Sequence, residues 1–227
     1  MTTGRSTTNV LIAGVGGQGT VLAARLVGSA ALASGLQVRG SETIGMAQRG
    51  GSVVSHLRLG HDIASPLIAP GTADVLIAFE PGEAARAAAY LKPDGVLVAC
   101  DRAIIPAVAA DYAPRDTRAW LRDALPHVYL LDGEAILRTC GARALNVVLL
   151  GATVQLGCLP FGADALADAI RARLQPQFHD MNLRALNYGA ELVAVAASVV
   201  PDPTPDAPAD APTDAPPGRQ EPAHADD

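Results

Sequence analysis

Aromatic residues are few: Phe, Tyr and Trp together make up 4% of 227 positions, while hydrophobic residues as a whole make up 49%. A core built from this chain must therefore be packed with small aliphatic side chains. That suits parallel strands covered by helices on both faces. Cysteine is scarce as well. Cys100, Cys140 and Cys158 are far apart and form no Cys-x-x-Cys pair, so they read as small buried hydrophobes. An iron–sulfur cluster takes about four thiolates, which excludes one held by this chain alone. No run approaches the ~20 apolar residues of a membrane span. Met1 to Thr8 is short and polar, unlike a signal peptide, and the expected location is cytoplasmic. No His/Cys/Asp cluster has metal-ligand spacing. No Gly-x-Ser-x-Gly elbow marks a hydrolase nucleophile.

Positive charge in excess is also missing. The formal net charge is −6, but it sits in one place. From Val200 onward there are seven acids and one base, Arg219, so residues 1–199 carry sixteen bases against sixteen acids. A neutral body lacks the basic stripe of a nucleic-acid binder. Lys92 is the single lysine, a bias we read as compositional. The terminal stretch also holds eight of the seventeen prolines and almost no large apolar side chain. Such a segment does not recover its ordering entropy by burial, and disorder is expected for it. The chain thus divides into a folded unit, 8–199, and an acidic Pro/Ala-rich tail, 200–227.

Within the unit, strand and helix patterns alternate. Asn9 to Ala13 is a strand buried on both faces, Gly14 to Gly19 a tight loop, and Thr20 to Ser34 a helix ended by Gly35. Leu36 to Arg39 is a short second strand, which makes a βαβ opening. Ser41 to Gly51 has three glycines and no clean period, as a loop does. Ser52 to Leu59 and Asp74 to Phe79 are strands, Pro81 to Leu91 a helix, Pro93-Asp94-Gly95 a turn and Val96 to Ala99 a strand. Arg115 to Leu125 is helical and Val128 to Leu131 a strand. Helices follow at Asn146 to Leu156, Ala163 to Leu174 and Asp180 to Ser198. The class is α/β, with a Rossmann-like, mostly parallel sheet and helices on both faces.

Gly14, Gly16 and Gly19 satisfy Gly-x-Gly-x-x-Gly between a strand and a helix. Glycines let phosphate approach the backbone, and the helix N-terminus offers free N–H groups to an anion. Gly17 and Gln18 extend the motif to GxGGQG. A dinucleotide site also needs an acid after the second strand for the ribose. Arg39-Gly40-Ser41 stands there instead, which argues against plain NAD binding. The second constellation is Ser41 to Gly51. There Arg49 offers a planar fork for a carboxylate or phosphate, and Gln48 and Glu42 are placed to orient it. Both loops follow strands, so they are expected at one edge of the sheet. His56 reads as a surface or interface histidine, Asn146 as a helix N-cap, and Asp74, Asp101 and Asp132 as capping or turn residues.

GVGGQG after the first strand, followed by GSETIGMAQRGGSVVSHLRLG, resembles the gamma-type domain of the 2-oxoacid:ferredoxin oxidoreductases. The resemblance covers approximately residues 8–195 and includes the helix starts Asn146 to Gly151 and Asn182 to Ala185. It implies the small subunit of an enzyme that turns a 2-oxoacid (an aryl 2-oxoacid in the indolepyruvate type), coenzyme A and oxidised ferredoxin into an acyl-CoA, carbon dioxide and reduced ferredoxin. It implies thiamine diphosphate, Mg and 4Fe-4S clusters on a large alpha subunit, and none held by this chain. Gly14, Gly16, Gly17, Gln18 and Gly19 would take a phosphate group. Ser41, Glu42, Met46, Gln48, Gly50 and Gly51 would line the cleft facing the partner, with Arg49 an auxiliary catalytic group. Nucleic acid and membrane are not among the implied partners. The competing expectation is a stand-alone Rossmann-like nucleotide or coenzyme A binding module.

Overall fold

The computed structural model describes residues 7–44, 51–104 and 113–197. In it, strand β1 (Thr8–Val15) leads into helix α1 (Thr20–Ala33), and strand β2 (Gln37–Ile44) is followed by β3 (Ser52–Gly60). Then come β4 (Ala73–Ala78), α2 (Pro81–Ala87), β5 (Leu91–Cys100), α3 (Pro114–Ala124), β6 (His127–Leu131) and α4 (Gly133–Cys140). The helices α5 (Leu145–Gln155), α6 (Ala163–Arg173) and α7 (His179–Ala197) complete the described part.

One six-stranded sheet runs in the order β2-β3-β1-β4-β5-β6. β1, β4, β5 and β6 are parallel neighbours, while β3 is antiparallel to both β1 and β2. The sheet is α/β as expected, but mixed. β1 and β2 do point the same way, as a βαβ opening requires, yet β3 has entered between them. The cause is local: Gln37 to Gly60 folds as an antiparallel pair, and its returning strand takes the place beside β1. That pair also overturns the reading of Ser41 to Gly51 as all loop. β2 continues to Ile44, with Ser41 opposite His56 and Glu42 opposite Ser55. Pro93 to Gly95 lies within β5, where the ladder with β4 shifts register. α4 follows the strand Val128 to Leu131 where no helix was expected.

The apolar runs explain the layers. Val10, Leu11, Ile12 and Ala13 are all fully buried, so β1 is covered on both faces. Val10, Ile12, Val75 and Ile77 pack under α1, α5, α6 and α7. Leu11, Ala13, Leu76 and Leu97 pack under α2 and α3 through Ala84 and Leu121. α1 buries Ala23, Ala24, Leu26, Val27, Ala30 and Ala31, a single stripe at helical spacing. It ends where Gly35 adopts φ +80° and donates to Leu32 O at 3.1 Å, while Leu36 donates to Ala31 O at 3.0 Å. These two bonds form a Schellman motif. α5 is buried at every residue from Asn146 to Thr153, which marks it as the central helix. No single helix among the described residues is long and apolar enough to cross a bilayer.

Candidate functional site

The glycine loop lies where β1, β4 and β5 end, at the carboxyl edge that serves as the ligand crevice of open α/β sheets. Each glycine has its own reason. Gly14 is still in β1, opposite Val53. A Cβ there would stand 2.7 Å from Thr20 Cγ2, 2.9 Å from Gln18 Oε1 and 3.0 Å from Phe79 Cβ, so this glycine lets the first turn of α1 close onto the strand. Gly16 and Gly17 are exposed, and Gly17 has φ +93° with nothing within 4 Å of an added Cβ. Gly19 is the N-cap of α1 in a left-handed conformation, φ 89°, with no side-chain cap and no acid in the first turn. The helix therefore starts with open N–H groups and uncompensated positive partial charge.

Gln18 turns inward. Its Oε1 accepts from Val15 N at 2.7 Å, and its own N–H donates to Val15 O at 3.2 Å. The residue braces the loop, and its carbonyl oxygen is not available to a ligand. The expected meeting of the two loops is present at one point: Gly16 N–H donates to Gly51 O at 2.9 Å. Ser41 and Glu42 are not brought there. They are level with Leu11 and Ile12 through β3, roughly 13 Å back along the strand from Gly16 and roughly 10 Å across. Met46, Gln48, Arg49 and Gly50 lie outside the described residues.

β3 also settles the missing acid. In a dinucleotide site the second strand is the neighbour of the first. Here β3 fills that position, so a carboxylate at the end of β2 would be one strand too far from the loop. Arg39 donates to Ile63 O at 3.3 Å and braces the connection after β3.

Beside the loop is a cavity of about 170 Å³ lined by Gly17, Gln18, Phe79, Cys100, Arg102, Ile104, Ile136, Leu137 and Leu145, with Gly133 and Ala142. Its walls are mostly apolar. Phe79 follows β4, Cys100 ends β5 and Ile136 belongs to α4. Arg102 stands at the rim and donates from Nε to Glu134 Oε1 at 3.2 Å in an exposed pair.

The three cysteines are free, and no group of three or more His, Cys, Asp or Glu among the described residues has the placement of a metal site. Burial pushes the Cys100 thiol up to about 11. It raises Cys140 and Cys158 as well, with Arg184 opposing it at Cys140. Three cysteines are fewer than the thiolates, about four, that an iron–sulfur cluster takes.

Several assignments move. His56 is buried, not a surface histidine. Its Nδ1 accepts from Ile68 N–H at 3.2 Å, its ring meets Tyr90 edge-on at 5.5 Å, and burial lowers its pKa. It shares a second cavity of about 170 Å³, on the α2 face, with Ser52, Glu83, Arg86 and Tyr90. Ser52 Oγ donates to Glu83 Oε2 at 2.5 Å, and Arg86 pairs with Glu83. Asn146 is inside α5, where Ala144 is the N-cap. Asp132 does cap α4, accepting from Ala135 N at 2.9 Å, and Asp101 accepts from Gly133 N at 2.8 Å. Asp74 accepts from Asn9 N at 2.7 Å and pairs with Lys92 at 2.9 Å. Sequence reasoning missed Glu83 and the cavity wall of α4. The Pro81-Gly82-Glu83 start of α2, with an acid at the third helical position, was the available signal for Glu83.

Comparison with known proteins agrees with this architecture. The pyruvate ferredoxin/flavodoxin oxidoreductase family matches residues 9–192. The indolepyruvate oxidoreductase subunit IorB of Archaeoglobus fulgidus is 40% identical over 187 residues, 80% of this chain and 92% of that protein. The protein of the same name from Thermococcus kodakarensis is 36% identical over 190 residues, 81% of this chain and 94% of that one. Among solved structures, the gamma subunit of a keto/oxoacid ferredoxin oxidoreductase from Geobacter sulfurreducens shares the fold. Its TM-score is 0.61 at 24% identity, over 83% of this chain and 99% of that one. The chain belongs to the pyruvate ferredoxin/flavodoxin oxidoreductase family, as the small subunit of a 2-oxoacid:ferredoxin oxidoreductase. These relatives are parts of oxidoreductase complexes, and nothing in the comparisons favours a stand-alone binding module.

Proposed function

We propose that this chain is the coenzyme-A-holding small subunit of an indolepyruvate-type oxidoreductase located in the cytoplasm. It has one folded unit, 8–199, and an accessory tail, 200–227. The observation that supports it most is the open backbone of Gly16 and Gly17 at the uncapped start of α1, tied to Gly51 by one hydrogen bond. This arrangement suits a phosphate group. With Gly51, the residues Met46, Gln48, Arg49 and Gly50 are on this reading the ones that line a cleft toward a large alpha subunit. On this reading Arg49 grips the substrate carboxylate or a coenzyme A phosphate as an auxiliary group. Ser41 and Glu42 act from β2 as parts of the subunit interface.

The alpha subunit holds thiamine diphosphate, Mg and 4Fe-4S clusters, and ferredoxin docks on the complex. Bound thiamine diphosphate supplies the carbanion chemistry that decarboxylates a 2-oxoacid. This chain's residues orient coenzyme A, and the cysteines described above take no part in electron transfer. Reconstitution with the large subunit tests the reading. Reduction of a viologen dye is followed with a panel of aryl, branched and short 2-oxoacids. Dye reduction that needs both the aryl 2-oxoacid and coenzyme A is expected. Reduction independent of coenzyme A, or confined to short 2-oxoacids, overturns it. In Arg49→Lys of the same complex, one of the two Michaelis constants should rise; no change in either removes Arg49 from the site.

A further inference from the structure

Among the described residues two acids are buried, Glu80 and Glu83, each 3% exposed. Glu80 caps α2, accepting from Glu83 N at 2.6 Å. The Glu83 carboxylate instead reaches across to β3. Its Oε2 accepts from Ser52 Oγ at 2.5 Å, and its Oε1 is paired with Arg86, whose side chain is 63% exposed. Burying a carboxylate is costly, an ion pair offsets little more than that cost, and an apolar side chain fills such a position as well. Stability alone therefore does not account for Glu83. Its partner does. Ser52 is the first residue of β3 and forms the last ladder pair with Val15 of β1. Gly51, just before it, accepts from Gly16 N at 2.9 Å. Strands fray at the end of a ladder, and neither Gly16 nor Gly51 has a side chain to hold it there.

We infer that Glu83 is a positioning residue: through the Ser52 hydroxyl it holds the end of β3 on β1 and keeps the Gly16–Gly51 bond closed. One ladder pair is thereby clamped from two elements. Gln18, just before α1, accepts from Val15 N at 2.7 Å, and Glu83, in the first turn of α2, accepts from Ser52. Glu83 acts from a fixed base. Pro81 opens α2, Glu80 caps it, and Phe79 N donates to Ala13 O at 2.9 Å, which ties the end of β4 to β1. A side chain carried on such a base sets position more sharply than one on a loop. A corner held this way presents the open backbone at Gly17 in one conformation, which lowers the ordering cost of binding there. The inference rests on the coenzyme A reading for what the corner then holds, and not for the bond itself. Nothing in it makes Glu83 a ligand contact, since Ser52 and Arg86 engage its two oxygens.

The test uses the full chain assembled with its large subunit. Amide hydrogen exchange at Gly16 reads the bond directly, and the amides of α5 report opening of the whole fold. Ser52→Ala removes the hydroxyl, and Glu83→Gln removes the charge. In each, exchange at Gly16 should quicken about fivefold or more while α5 is unchanged. The Michaelis constant for coenzyme A should rise roughly three- to tenfold, with kcat within about twofold of the parent. The double variant should match the stronger single one, because the same bond is lost only once. Ser52→Thr keeps the hydroxyl and should behave as the parent; a threonine variant that behaves like the alanine one overturns the inference. Unchanged exchange at Gly16 in both single variants overturns it too. So does acceleration that α5 shares, which leaves Glu83 a role in stability alone, and so do effects that multiply in the double variant. Faster exchange at Gly16 with an unmoved coenzyme A constant upholds the positioning and overturns the coenzyme A reading of the loop.

Discussion

The N–H of Gly16 donates to the carbonyl oxygen of Gly51 at 2.9 Å, one step beyond the last ladder pair of β1 and β3, Val15 and Ser52. That bond joins the two glycine-rich segments and makes the β1–β3 pairing part of the site. The antiparallel strand that displaces β2 from β1 is therefore what brings Gly51 to the glycine loop.

The tightness of that corner gives the first prediction. Gly14→Ala forces a Cβ to within 3.0 Å of Thr20, Gln18 and Phe79. Phe79 is fully buried and Gln18 is held by Val15, so neither withdraws easily. Overpacking of this kind costs about 1–3 kcal/mol, a fall of roughly 2–12 °C in Tm for a domain of this size. Thermal melting by circular dichroism measures it. An unchanged Tm would show that the corner has slack.

His56 gives the second. Burial holds its pKa below the ordinary 6.5, so the folded state keeps the neutral ring while the unfolded chain titrates normally. Above pH 6.5 both states are neutral and the full stability is present. As pH falls below 6.5 the unfolded chain binds the proton first, and stability is lost until the folded pKa is passed. His56→Gln removes that titration and should flatten the acid limb of stability between pH 6.5 and 5. Urea midpoints across that range are the measurement. A limb as steep in the variant as in the parent would assign the acid sensitivity to other groups.

How far the sequence carried these conclusions depends on the range of the interaction. GVGGQG between strand and helix is a contiguous pattern, and its place at a sheet edge was legible because every residue in it acts on its neighbours. The apolar runs of β1 and β4 announced burial on both faces for the same reason. The position of β3 was not legible, since nothing in Ser52 to Gly60 says which neighbour it takes. The roles of Ser41 and Glu42 changed with it: register alone put them in mid-strand. Asn146 reads as a cap from the sequence because Asn is a good one. Its contact is with Gly19, more than a hundred residues away, and no local rule could supply that. His56 reads as a surface or interface histidine because nothing in its own strand shows that Tyr90 and the connection through Ile68 pack against it.

The third prediction concerns the helix pair that sets Asn146 in place. A Cβ on Gly151 would stand 2.0 Å from Leu186 O, and one on Gly189 would stand 2.0 Å from Val148 O. Both obstacles are backbone, so no rotamer change relieves them; α5 and α7 must move apart. α5 is buried along its length, and separating it from α7 opens gaps whose lining loses dispersion contacts. Gly151→Ala should therefore cost about 3 kcal/mol or more. Two other glycines calibrate the claim. Gly35 has φ +80° with open space around it, so Gly35→Ala pays only the left-handed strain of about 1–2 kcal/mol. Gly162 has neither a positive φ nor a neighbour within 4 Å, and Gly162→Ala should be neutral. Urea midpoints should fall in the order Gly162→Ala, Gly35→Ala, Gly151→Ala. The double variant of Gly151 and Gly189 should lose less than the sum of its parts, because the first alanine already separates the helices that the second would push. Strict additivity, or a Gly151→Ala midpoint at or above that of Gly35→Ala, would mean that α5 and α7 are not held at this backbone distance, and that Asn146 owes its position to something other than their contact.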